Sequence, residues 1–170
     1  PMVALLQDFT KAKKIVVEEA KKLNVGIPKL GVMIETPSAA IAAETYTDDV
    51  DFFSIGTNDL IQYTLAADRG LVTLSEYHDA LHPSVLQLIN NVIEVGVKCN
   101  VEVSVCGDMA SDIDGAKVLY ALGLRIFSLA PSQAPLILNS ILISQKKLKN
   151  LNKNEILNQK NSQSVRNLIN

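Results

Sequence analysis

Apolar residues recur at Ala12, Ile15, Val16, Ala20 and Leu23, the three-and-four spacing of an amphipathic helix over residues 8–23. Asp8 or Thr10 supplies its N-cap, and Asn24-Val-Gly-Ile-Pro28 closes it. The pattern then changes. Leu30 to Ile34 is a short unbroken apolar run between Pro28 and Pro37, as expected of a parallel strand covered on both faces. A helix from Ser38 follows, then a second buried strand, Phe52 to Ile55. A tight polar turn from Gly56 to Asp59 leads into a helix from Leu60 to Ala66. Residues 84–99 carry Val85, Ile89, Val92, Ile93 and Gly96 on one helical face, and Val101 to Val105 is the next strand. Asp112 is expected to cap a helix through Leu122, with Gly123 just past its end. Ile126 to Leu129 reads as a fourth strand, and Leu136 to Ile143 as a further apolar helix.

Strands and helices alternate, which predicts an α/β fold with a parallel sheet. Glu35 and Asp59 are 24 residues apart, Asp59 and Cys106 are 47, and Cys106 and Ala130 are 24. One βα unit takes about the shorter interval in an eightfold barrel of ~250 residues. The longer interval holds one unit plus a connection at 70–82. Four such units make half a barrel. The expectation is therefore a partial (β/α)8 barrel over residues 1–145, with a separate tail at 146–170. Open sheet edges are a liability, so such a piece should be less stable than a larger parent, or should pair with itself.

Composition narrows the class. The chain has 170 residues, 48% of them hydrophobic, enough for one buried core. No apolar run approaches the ~18 residues that span a bilayer, and no basic, apolar leader precedes the fold. A cytoplasmic protein without a membrane partner is expected. Pro1-Met2 is not an initiating pair, so a chain cut from something longer is expected. Cys99 and Cys106 have neither C-x-x-C spacing nor a nearby His cluster, pointing to free thiols in a reducing compartment. Residues 1–145 hold 10 Lys/Arg against 17 Asp/Glu, whereas residues 146–170 hold 6 against 1. Such a basic tail suits an acidic partner, but it has no aromatic residue to stack on bases. No nucleic-acid partner is expected, and the tail reads as a solvated helix or a frayed end.

Candidate chemistry sits at the strand ends, where βα folds place it. Glu35 ends the first strand and either caps the next helix or binds a metal. Thr57, Asn58 and Asp59 crowd the end of the second; Asn58 or Asp59 either caps the next helix or faces a ligand. Arg69 offers a planar fork suited to phosphate or carboxylate, or a surface ion pair near Asp68. Cys106 closes the third strand, a place more often filled by a small core residue than a reactive one. His78 and His82 read as polar loop residues rather than a metal pair.

Residues 51–69 contain Ser-Ile-Gly-Thr-Asn-Asp-Leu-Ile-Gln and end in Arg. They resemble the signature of the phosphoenolpyruvate-utilising enzymes, S-[IF]-G-T-N-D-L-x-Q followed by an Arg. Met33-Ile34-Glu35-Thr36-Pro37 resembles that family's M-x-E-x-P, and Cys106-Gly107-Asp108-Met109-Ala110 its C-G-E-x-A. Ile55 and the run Tyr63-Thr-Leu-Ala66 are nearest the Enzyme I branch, which serves sugar-type or nitrogen-type phosphotransferase systems. The likeness covers nearly all of residues 1–145. It departs at Asp108, where the family has Glu, and at Leu71, where it has Asn.

The resemblance implies the carboxy-terminal half of a phosphoenolpyruvate-binding barrel, with Glu35 as a magnesium ligand and Cys106 as the acid that protonates the enolate. Residue chemistry adds to this. Magnesium commonly takes one or two carboxylates plus substrate oxygens, and Glu35 and Asp59 offer two from adjacent strand ends. Asn58 can donate its amide to a phosphate oxygen, and Arg69 its fork. Cys106 must hold its proton as a thiol, since a thiolate has none to give. In the family the phosphoryl group passes to a histidine on a separate domain, then to a phosphocarrier protein, releasing pyruvate. The resemblance also implies that the family's phosphate-gripping arginines belong to strands before residue 1. This chain alone is therefore expected to show no turnover, and a homodimer is expected through this domain. Two other readings stay open. One is an enzyme of the pyruvate phosphate dikinase or phosphoenolpyruvate synthase type, in which Phe typically stands where Ile55 does. The other is a non-catalytic sensing or dimerisation module of a nitrogen-type regulatory system.

Overall fold

A computed structural model describes residues 2–68, 70 and 77–170. Four strands, β1 (Gly31–Ile34), β2 (Phe52–Gly56), β3 (Glu102–Cys106) and β4 (Ile126–Phe127), form one sheet in the order β1-β2-β3-β4. All three pairings are parallel. Helix α1 (Leu6–Lys22) precedes the sheet. Helix α2 (Pro37–Ile41) and a 3-10 turn (Ala43–Tyr46) join β1 to β2. Helices α3 (Thr57–Leu65) and α4 (Pro83–Cys99) join β2 to β3, and α5 (Asp108–Ser111) and α6 (Ile113–Ala121) join β3 to β4. Helices α7 (Ala134–Asn150), α8 (Lys153–Leu157) and α9 (Ser162–Ile169) follow.

Parallel crossovers are right-handed almost without exception, so a sheet wound in sequential order carries its helices on one face. Pairing puts Ile34, Ile55, Val105 and Phe127 in one row across that sheet. Ile34, Ile55 and Val105 are fully buried, as are Leu86, Ile89 and Val92 of α4 and Leu119 of α6. The next row, Met33, Ser54, Ser104 and Ile126, points the other way. Met33 and Ile126 are 39% and 40% exposed. The run expected to be covered on both faces is thus fully packed on one, while the second leaves Met33 and Ile126 open among the described residues. A cavity of about 350 Å³ runs between α1 and the outer edge of β1, lined by Phe9, Val16, Met33, Phe52 and Ser54.

Other differences are local. Helix α1 begins at Leu6 with no side-chain cap. Asp8 falls in its first turn, and the Thr10 hydroxyl donates back to the Leu6 carbonyl at 2.9 Å. The segment read as a turn at 56–59 is the start of α3, with Gly56 in the N-cap position and no side-chain cap, so neither Asn58 nor Asp59 is the cap. His82 caps α4, its Nδ1 facing the Ser84 N–H at 3.3 Å. Asp112 caps α6 through the Gly115 N–H at 2.7 Å. No helix among the described residues is long and apolar enough to cross a membrane.

The largest difference lies at the end of the chain. The tail is helical, one of the two forms expected, and α7 itself ends at Asn150. Beyond it, Ile156, Val165 and Ile169 are buried in the core rather than solvated. Leu151, Leu157 and Leu168 pack against that core as well, but interspersed Asn, Gln and Lys leave a weak apolar pattern in the sequence. Arg166 donates to both carboxylate oxygens of Asp79, at 2.7 and 2.9 Å, fastening α9 to the segment before α4. Burial disfavours charge on Asp79, but its hydrogen bonds from Arg166, Leu81 and Ser162 outweigh this and hold its carboxyl below the usual range. A depressed carboxylate stabilises the fold above its unfolded value of about 3.9, and that stability is lost as pH falls through the lower folded value. Acidification below about pH 4 is therefore expected to loosen α9. Hydrogen exchange at the α9 amides checks it, and Asp79→Asn should abolish the pH step. The pair is about a third exposed, so its loss should cost on the order of 1 kcal/mol.

Candidate functional site

Three neighbouring strands end together, and the sequence places a polar group at each end. Glu35 is the first residue after β1, Asn58 and Asp59 lie in the first turn of α3, and Cys106 is the last residue of β3. Gly56 pairs with Cys106 in the sheet register, so the second and third groups leave the sheet side by side. A Cβ at Gly56 would meet the Glu35 Cβ at 3.0 Å and the Met33 Sδ at 3.1 Å. Glycine here lets the β1 side chains pass close over β2.

Glu35 is 4% exposed, and its Oε1 accepts the Met2 N–H at 2.5 Å. It does not cap α2; the Thr36 hydroxyl does, accepting from the Ala39 N–H. One carboxylate oxygen thus remains available for another partner. Asn58 Oδ1 accepts the Asp108 N–H at 2.8 Å. A backbone N–H can only donate, so the oxygen of the amide is fixed and its NH2 is the end left for a ligand. Cys106 is half-buried; its Sγ lies 3.6 Å from the Ile55 carbonyl and 3.9 Å from Ser54 Oγ. The thiol can donate to that carbonyl while the serine hydroxyl donates to sulfur. Thr57, fully buried, donates its hydroxyl to the Cys106 carbonyl at 2.8 Å.

Arg69 and Leu71 lie outside the described residues. Asp108 opens α5 with its side chain exposed. His82 is committed to its cap, and His78 buries an Nε2 that has no hydrogen-bond partner among the described residues. Among the described residues no three His, Cys, Asp or Glu side chains group closely enough to enclose a metal by themselves. Ser54 was not singled out from sequence. Its signal was the two-residue alternation of β2, which puts it on the same face as Gly56 and hence beside Cys106.

Residues 1–146 match the family described as PEP-utilising enzyme, PEP-binding domain. The chain is 46% identical over 136 residues to a phosphoenolpyruvate-protein phosphotransferase of Lactococcus lactis subsp. lactis, covering 76% of this chain and 24% of that protein. It is 41% identical over 162 residues to the protein of that name from Staphylococcus aureus, covering 92% of this chain and 27% of the relative. A third, from Priestia megaterium, is 40% identical over the same length. The chain thus spans about a quarter of the length of the curated relatives it matches. From its matched residues and from the identity it shares with these proteins, the chain belongs to the PEP-binding domain family of the phosphoenolpyruvate-utilising enzymes.

Proposed function

We propose that this chain is the phosphoenolpyruvate-binding part of a phosphoenolpyruvate–protein phosphotransferase. The observation that carries the reading is the convergence of Glu35, Asn58 and Cys106 at the ends of three adjacent parallel strands. The sheet is one arc of a (β/α)8 barrel. Sequential winding, helices on one face, an uncovered second face and a cavity along the β1 edge all support closure by further strands.

In this reading Asn58 offers amide N–H groups to a phosphate oxygen, and Arg69 a bidentate fork. The donor set fits magnesium: Glu35 and Asp59 are two hard carboxylates, leaving the other positions to substrate oxygens and water. Bound there, the ion would supply electrostatic stabilisation of the charge left as the phosphoryl group departs. Once the P–O bond to the enol oxygen has broken, that oxygen re-forms the carbonyl. The C=C electron pair takes the proton from the Cys106 thiol, which makes the methyl group of pyruvate. The thiolate then recovers a proton from solvent.

The acceptor histidine lies on another domain of the phosphotransferase, and the phosphocarrier protein is a separate partner met by that domain, so the chain alone binds without turnover. Dimerisation through this domain and a cytoplasmic location complete the reading. Isothermal titration of phosphoenolpyruvate into the chain tests it, with magnesium and then with EDTA. Magnesium-dependent heat that disappears in Glu35→Gln is expected. Binding of equal strength in EDTA, or in Glu35→Gln, would remove the carboxylate assignment.

A further inference from the structure

The geometry points to Thr57 as a positioning residue that sets Cys106 and Asn58 in register with each other. It rests on the reading of those two as proton donor and phosphate-binding amide. The Thr57 hydroxyl is the group that satisfies the Cys106 carbonyl at the point where β3 ends. Fixing that carbonyl fixes the plane of the 106–107 peptide, and with it the direction in which Gly107 turns the chain.

Gly107 has a φ of 95°, a conformation that side chains resist. A Cβ there would meet Thr57 Oγ1 at 2.4 Å and Asn58 Oδ1 at 2.7 Å. The glycine therefore lies directly against both side chains, with no room for adjustment. One residue on, the Asp108 N–H reaches Asn58 Oδ1. Two hydrogen bonds thus cross from the first turn of α3 to the 106–108 corner, one on each side of Gly107. Thr57 holds the thiol-bearing residue, and Asn58 is held by the amide that follows. Loss of the hydroxyl removes this donor from the Cys106 carbonyl and lets the peptide rotate, which moves Cys106 relative to Ile55 and Ser54 and loosens the Asn58 amide together.

The consequence is measurable at sulfur without any turnover. In a Cys99→Ser background Cys106 is the remaining thiol, and its alkylation by iodoacetamide is followed from about pH 6 to 10, spanning the ordinary thiol range. Thr57→Val keeps the shape and removes the donor. It is expected to change the alkylation rate, and the pH at which it rises, by the equivalent of roughly three- to tenfold, the scale of one lost hydrogen bond. Thr57→Ser restores the hydroxyl and should return the profile to within about twofold of the parent. A Thr57→Val profile identical to the parent overturns the inference, and so does a Thr57→Ser profile that matches Thr57→Val. If Thr57→Val does not fold, Thr57→Ala is read in the same way: a profile shifted from the parent supports the brace, and one identical to the parent overturns it. Failure of phosphoenolpyruvate to bind the unsubstituted chain would count against the proposed function and leave these results standing.

Discussion

Cys106→Ala is expected to lower turnover of the longer phosphotransferase by about 10²–10⁴, the usual contribution of a positioned general acid. Affinity for phosphoenolpyruvate should stay within a few-fold of the parent. The reason is geometric. The sulfur lies against the Ile55 carbonyl and Ser54 hydroxyl at the end of β3, apart from the Glu35 and Asp59 carboxylates in sequence and strand. Removing it deletes a proton source while leaving the metal and phosphate ligands in place. Steady-state pyruvate release, measured beside equilibrium binding, separates the two effects. Wild-type turnover in Cys106→Ala would take the proton-donor role away from this residue. Loss of binding with no separate loss of turnover would recast it as a packing residue.

Phe53→Ala should cost about 3–5 kcal/mol, the range for truncating a buried aromatic residue. Phe53 is fully buried in the centre of β2, paired with Val32 on one side and Val103 on the other. Domains of this size are held by only about 5–15 kcal/mol, so a large share of the chain's stability should disappear. Because β2 leads directly into Gly56, Thr57 and Asn58, the site should be lost with it. Urea unfolding followed by circular dichroism measures the shift in midpoint. Met33→Ala, on the uncovered face of the adjacent strand, is the control and should shift it far less. Equal effects from the two substitutions would contradict the assignment of a packed and an open face.

Much of the strand and helix order was legible because each element's burial pattern depends on neighbours in sequence. The run from Leu30 to Ile34, the stripe through Val85, Ile89 and Val92, and the Asp112 cap all belong to this local kind. Three-and-four or continuous apolar spacing is set by which side of one element meets the core. The strand-end residues Glu35, Asn58, Asp59 and Cys106 were legible for a related reason. A polar group directly after a buried strand is conspicuous, and here the surrounding residues resembled a known signature.

What the sequence by itself determined is the identity, order and approximate length of the βα units, and which polar groups end them. Only the tertiary structure decided how those ends meet. The Gly56–Cys106 pairing, the Thr57 bond to the Cys106 carbonyl and the Asn58 bond to the Asp108 amide span about 50 residues each. No local periodicity encodes them. The same holds for the tail, whose few apolar residues gain their partners only when α9 returns to Asp79, 87 residues earlier in the chain at Arg166. Single-face coverage of the sheet is also a property of strand order, not of any strand. Burial along one element is a one-dimensional pattern and survives in the sequence, whereas contacts between distant elements depend on the register and winding that folding supplies.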